Sequence, residues 1–149
     1  MVRLIFLFVL ISTLAQANVG EIAEIKGSAA LERGKNSIAA KNGTLVEMLD
    51  TAVTSDAKMR IDFIDDTRVD ITEHSRLVID DFVFDPSNNQ GSLSLKASMG
   101  TIRYASGQIA KKFKQNVKIR TPSATIGVRG TDFIMVVDEI GGSMITLLP

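Results

Sequence analysis

Apolar residues recur at alternate positions along most of the chain beyond residue 18, in short runs broken by glycine, asparagine and aspartate. VGEIAEIKGSAAL alternates from Val19 and gives way at Gly27. In MRIDFIDDTRVDITEHSRLVIDDFVFD, Met59, Ile61 and Phe63 share one face, and Val69 and Ile71 resume after the polar Asp65–Thr67 stretch. Side chains of a strand alternate faces, so this predicts a hairpin, followed by a further strand around Leu77–Ile79. DPSNNQGS, residues 85–92, has the composition of a loop. SLSLKASMGTIRY alternates through Leu93 and Leu95 and, past Gly100, Ile102 and Tyr104. Only SGQIAKKFKQN, with Ile109 and Phe113 four residues apart, predicts a helical turn. Strands at this spacing predict an all-β fold: an antiparallel β-sandwich or a wrapped β-sheet.

RTPSATIGVRGTDF, residues 120–133, breaks the alternation. Apolar positions are odd at Val117 and Ile119, even at Ala124, Ile126 and Val128, and odd again at Phe133, Met135 and Val137. A one-residue slip turns every side chain to the other face, so the chain must turn or bulge in between. Arg129-Gly130 is the natural place, because glycine accepts such backbone geometry without a Cβ clash. The stretch therefore reads as an architectural joint. An arginine buried there would need a partner, which predicts Arg129 as a structural guanidinium fixing carbonyls or a carboxylate; the competing reading is an anion ligand.

The first seventeen residues follow other rules. MVRLIFLFVLISTLAQA has a basic start at Arg3, an apolar run from Leu4 to Leu14, and small residues at Ala15 and Ala17. That is the layout of a secretory signal peptide, with cleavage expected between Ala17 and Asn18. The apolar run is short of the roughly 20 residues a membrane-spanning helix needs. Residues 18–149 then form one β domain, exported to the periplasm or the cell surface. The chain has no cysteine, so no disulfide or thiolate metal site holds this domain together.

Beyond residue 17 the chain carries sixteen basic and seventeen acidic residues, a balance that argues against nucleic acid as partner. The charges are segregated, however. Glu47–Asp85 holds eleven acidic and four basic residues, whereas Pro86–Thr131 holds eight basic and no acidic ones. Either the two segments neutralise each other within the fold, or Arg103, Lys111, Lys112, Lys114 and Lys118 form a surface for an anionic glycan or other partner. Catalytic chemistry has little to draw on. The single histidine, His74, reads as a surface side chain, and Ser55–Lys58 matches SxxK without its companion motifs. The carboxylates Asp62, Asp65, Asp66 and Asp70 lack calcium-loop spacing and read as turn-forming and edge-protecting groups. Neither enzyme activity, nor a metal, nor a cofactor is expected.

One resemblance sharpens this reading. VKIRTPSATIGVRGTDF resembles the signature of FecR-domain proteins, in which a strand ends in Thr-Pro and a VRGT element precedes an aromatic residue and a β-run. The matching positions are Thr121, Pro122, Ala124, Gly127, Val128, Arg129, Gly130, Thr131 and Phe133. LDTAVTSDAKMRIDF, SRLVID and GTIRYASG upstream also resemble the family, although Asp66-Thr67 stands where Asp-Gly is usual. The resemblance implies an all-β extracytoplasmic module of the bacterial envelope, non-enzymatic, that binds or senses through contacts with an envelope or membrane protein. A structural or surface role in assembly, or in glycan binding, is the alternative. Residues 18–149 show neither the sigma-binding segment nor the transmembrane helix of the family's regulators, so iron signalling is not carried over. The chain stops at MITLLP inside an expected last strand, where family members often continue.

Overall fold

The computed structural model describes residues 18–149; the expected signal peptide, residues 1–17, lies outside them. Thirteen strands and one short helix follow one another: β1 (Asn18–Lys26), β2 (Ala29–Arg33), β3 (Asn36–Ala39), β4 (Leu45–Glu47), β5 (Thr51–Thr54), β6 (Lys58–Phe63), β7 (Arg68–Ile71), β8 (Arg76–Asp85), β9 (Gln90–Ala105), α1 (Gln108–Lys112), β10 (Val117–Arg120), β11 (Thr125–Gly127), β12 (Phe133–Val137) and β13 (Ser143–Leu147). The strands join in the order β3-β2-β5-β8-β9-β7-β6-β1-β4, with β10–β11 and β12–β13 attached to β9. All ladders are antiparallel except β9–β10, where Val117–Arg120 runs parallel to Leu93–Lys96.

β9 makes this a curled sheet with two layers. Its first half pairs with β8 and β10, and its second half, from Gly100, pairs with β7 and β12. The strand turns at Gly100, whose φ is +102° and whose added Cβ would overlap Ser75 Oγ. Any other residue meets both a forbidden backbone conformation and a neighbour already in place. The Ser75 hydroxyl accepts from Thr101 N at 3.2 Å, and Thr54 Oγ1 donates to Thr72 O at 2.6 Å while accepting from Ser75 N at 3.0 Å. These hydroxyls satisfy backbone groups that the corner removes from the ladders.

Between the layers lies one core, and its rows follow the register. Ile61, Val69, Tyr104 and Phe133 are cross-strand neighbours, as are Met59, Ile71, Ile102 and Met135. Leu77, Ile79, Leu93, Leu95, Val117 and Ile119 face them from the other layer, all buried. The alternation expected from the sequence is the core face of these strands. The helical turn forms as expected, with Ile109 buried and Phe113 half-buried. The expected loop at residues 85–92 is tighter than its composition suggests. Strand pairing reaches Asp85 opposite Gln90, and Asp85 caps a 3₁₀ turn at Pro86–Asn88 by accepting from Asn88 N.

Candidate functional site

The signature segment is a joint between the layers. β11 folds back on β10, with Ile119 opposite Ile126, through a turn in which Thr121 N donates to Ala124 O at 2.8 Å. Two hydroxyl contacts then carry the turn across to the other layer. Ser143 Oγ donates to Thr121 Oγ1 at 2.7 Å and lies 3.0 Å from Ser123 Oγ. Pro122 packs beside Gly141 so closely that a Cβ on that glycine would stand 3.1 Å from the proline ring. After Gly127, Val128 is buried and its N–H donates to Val117 O, and the chain reverses at Gly130 with φ +78°. Thr131 O and Asp132 Oδ1 then accept from the Ser106 hydroxyl and N–H, each at 2.9 Å, which fixes the corner ahead of α1. Phe133 closes the joint by stacking on Tyr104, with ring centroids 5.1 Å apart. The slip in apolar parity is thus a hairpin plus a turn at Gly130.

Arg129 corrects an expectation. It is exposed and, among the described residues, has neither an ion pair nor a hydrogen bond. At a reversal in the chain its side chain projects to solvent, so the reasoning from a buried charge does not apply to it. The paired structural arginine is Arg33, on the short β2. It binds both oxygens of the fully buried Asp50 at 2.8 Å and reaches Glu47 at 3.2 Å. The carboxylate also accepts from Glu47 N at 2.9 Å. Hydrogen bonding to Asp50 raises the Arg33 pKa, so the guanidinium stays charged. The sequence carried no signal for this pair, because its members are seventeen positions apart.

Asp65 is the second buried carboxylate. It accepts from Thr67 N, from Thr67 Oγ1 at 2.8 Å and from Ile109 N at 3.1 Å, and its own carbonyl accepts from Gln108 N. One side chain therefore closes the β6–β7 turn and starts α1. Gly107 permits the approach, since a Cβ there would overlap Thr67 N and the Asp65 carbonyl. Asp66 sits in the left-handed region at φ +68°, a conformation that aspartate tolerates better than most residues. The other carboxylates of the hairpin are engaged one by one: Asp62 with Arg68, Asp70 with Arg60 at 2.7 Å, Asp66 with Gln108. Among the described residues no three metal-ligating side chains converge. His74 is exposed, 3.6 Å from Asp56.

The five basic residues singled out in the sequence are all exposed and outside any ion pair among the described residues, but they occupy separate elements. Arg103 lies on the outer face of β9 in register with Asp70, itself paired to Arg60. Lys118, on β10, lines a groove with Asp80 and Asp81, where Arg120 approaches Asp80 to 4.0 Å. Lys111 and Lys112 end α1, and Lys114 follows it. Carboxylates therefore stand beside Arg103 and Lys118, and Lys112 Nζ donates to Gln108 Oε1 at 3.5 Å, the side chain that also donates to Asp66.

What sequence reasoning missed is an apolar cleft at one end of the molecule. Asn18 and Val19 of β1, Met48 and Leu49 between β4 and β5, Ile64 of the β6–β7 turn, and Phe82 and Phe84 of β8 line it. Phe82 stacks on Phe63 beneath, with centroids 5.6 Å apart. The departure of LVEMLD from strict alternation, with four apolar residues in six, was the available signal.

No curated protein and no solved structure matches the chain. The family model described as "FecR protein" matches residues 50–148, from the buried Asp50 through the signature joint to the end of β13. With two thirds of its length inside that match and the signature residues building the joint between layers, the chain belongs to the FecR protein family.

Proposed function

We propose that the chain is a non-enzymatic exported module that binds or senses through contacts with another protein of the bacterial envelope. The observation that carries this reading is the family match over residues 50–148, a family of regulators and sensors, on a fold that occupies the Thr121 hydroxyl and the Thr131 carbonyl internally. Thr121 and Ser143 tie the two layers together, and Ser106 with Asp132 fixes the corner ahead of α1, which supports a rigid scaffold that presents surfaces to a partner. Among the described residues no helix is long and apolar enough to cross a membrane. The scattered basic residues give the glycan-binding alternative less support than one continuous basic face would.

Two measurements test the reading. Intact mass of the chain recovered from the envelope should correspond to a start at Asn18; retention of Met1–Ala17 defeats the export reading. Chemical cross-linking in living cells should join the tagged chain reproducibly to one envelope protein. Recovery of polysaccharide alone would replace this function by the glycan-binding one.

A further inference from the structure

The β12–β13 hairpin borders its layer with an open edge. Four strands pair on one side only: β3, β4, β11 and β13. β4 and β11 have three residues each, and β3 has four between Lys35 and Lys41. Short, charge-flanked edges of this kind keep a sheet from pairing with other chains. β13 has neither protection, with five residues, Ser143–Leu147, and no charge or proline among them. Its side chains are as unusual as its length. Leu147 stands opposite the buried Phe133, and Ile145 opposite the buried Met135, so both lie on the face that forms the core elsewhere. Leu147 is nonetheless 67% exposed and Ile145 37%, and Met144 on the other face is 64% exposed.

The backbone says what kind of group covers this edge. Leu148 N donates to Asp132 O, and Asp138 N donates to Gly142 O, each at 2.9 Å, at the two ends of the β12–β13 ladder. Antiparallel pairs alternate between bonded and non-bonded, so Met144 and Thr146 exchange bonds with β12. Ser143, Ile145 and Leu147 then direct their N–H and C=O groups outward, where among the described residues no strand meets them. A row of free donors and acceptors beside apolar side chains fits a strand better than a lipid or a sugar.

We propose that the free edge of β13 pairs with β13 of a second copy of this chain, antiparallel about a two-fold axis at Ile145. In that register Ile145 faces the partner's Ile145, Ser143 faces the partner's Leu147, and every outward N–H and C=O is matched. A slide of two residues one way sets Leu147 against Gly141, whose N–H is already given to Asp138 O. A slide the other way sets Ser143 against Pro149, which has no N–H. The strand therefore has one complete register with itself. Charge permits it, because like charges directly opposite each other repel and β13 has none to oppose. Ile145 and Leu147 of both copies then meet on the core face and extend the rows of Met135 and Phe133 across the axis. One strand from each copy covers well under the roughly 1,600 Å² of a standard interface, so the dimer is weak and depends on concentration. It goes beyond the envelope-partner reading and does not rest on it.

Sedimentation of the exported chain, from low micromolar to millimolar concentration, should show a reversible monomer–dimer equilibrium. Amide hydrogen exchange supplies a test of parity. As concentration rises, Ser143, Ile145 and Leu147 should become protected, whereas Met144 and Thr146 should be protected throughout. Leu147→Pro removes an outward N–H and leaves the bonds to β12 in place, so it should weaken the dimer at least about tenfold at an unchanged thermal midpoint. Thr146→Pro removes an inward N–H and should lower the midpoint instead. The chain has no cysteine, so Ile145→Cys introduces a single thiol. Residues of a bonded antiparallel pair stand about 5.5 Å apart at Cα, within disulfide range, and mild oxidation should link two copies. Met144→Cys, whose two copies stand diagonally about 7–8 Å apart, should link far more slowly. A monomer at every concentration would overturn the proposal, as would a dimer in which the Ser143, Ile145 and Leu147 amides stay open. A midpoint lowered by Leu147→Pro would mean that its N–H bonds β12, and the pairing would fall with the parity. Protection of the three amides that ignores concentration would give the edge to another segment of the same chain. Protection that appears only with envelope extract would give it to a different protein, and either result overturns the proposal.

Discussion

At the scale of single residues, the structure turns on a few buried polar groups whose partners are far away in sequence. The sequence points to Arg129 as a structural arginine and gives no signal for Arg33, yet only Arg33 has a buried carboxylate to hold. Removing one partner of a buried pair leaves the other charge uncompensated, so Arg33→Ala should destabilise by about 3 kcal/mol. Arg129→Ala should change stability by less than about 0.5 kcal/mol, as exposed substitutions usually do. Chemical denaturation of both variants checks the contrast; equal losses would mean that Arg129 has a structural role. Tyr104, the only tyrosine, offers a spectroscopic handle. Burial pushes its phenol up to about 12, and its hydroxyl has no hydrogen-bond partner in good geometry although Ser106 and Thr67 stand beside it. The unfolded chain ionises near pH 10 and the folded one later, so the unfolded state holds fewer protons in between. Stability from this group is therefore complete below pH 10 and falls by about 2 kcal/mol as pH rises to 12. Phenolate absorbance should appear only near the upper end of that range or on unfolding. Tyr104→Phe should flatten this part of the pH profile and, by deleting an unpartnered hydroxyl, leave stability at neutral pH intact or raised. Phenolate forming near pH 10 in folded protein would contradict the buried environment.

At the scale of elements, the legible part of the fold is what period-two alternation encodes. Val69 and Ile71 resume the face of Met59, Ile61 and Phe63 because a hairpin needs one apolar side, and that hairpin is β6–β7. Leu93 and Leu95 share parity with each other but not with Ile102 and Tyr104, and the sequence marks the change with Gly100. What alternation does not encode is that the two halves belong to one strand serving two layers. Nor does it encode which strands pair with them: the parallel contact of β10 with β9 brings together residues about two dozen apart through no local signal. The signature was legible as a joint because its glycines and proline are local devices. The cleft left one local trace, the apolar run of LVEMLD, because its walls come from four segments far apart in sequence. Gly100 is the sharpest test of the corner. Gly100→Ala places a methyl group on Ser75 Oγ and a side chain at φ +102°, so stability should fall by about 2–3 kcal/mol. That methyl would also stand 2.5 Å from Ser75 Cα, so trimming the Ser75 side chain should not restore the loss; an unchanged stability of Gly100→Ala in chemical denaturation would mean that the contact with Ser75 does not define the bend.

At the scale of the whole molecule, near-zero net charge hides an uneven distribution: residues 47–85 carry the acidic excess, and lysines gather around α1. If Lys111, Lys112 and Lys114 act as an exposed group, attraction to lipopolysaccharide or an acidic glycan should be detectable at low salt. It should fade as the Debye length shrinks from about 30 Å at 0.01 M to about 8 Å at 0.15 M. Arg103 and Lys118 should add little, because Asp70, Asp80 and Asp81 already lie beside them. The triple change of Lys111, Lys112 and Lys114 to glutamate should therefore abolish the low-salt attraction, whereas Arg103→Glu should leave most of it. Tight polymer binding that ignored both salt and the triple change would mean a glycan pocket held together by hydrogen bonds rather than by charge. It would also move the function of the molecule away from protein contacts.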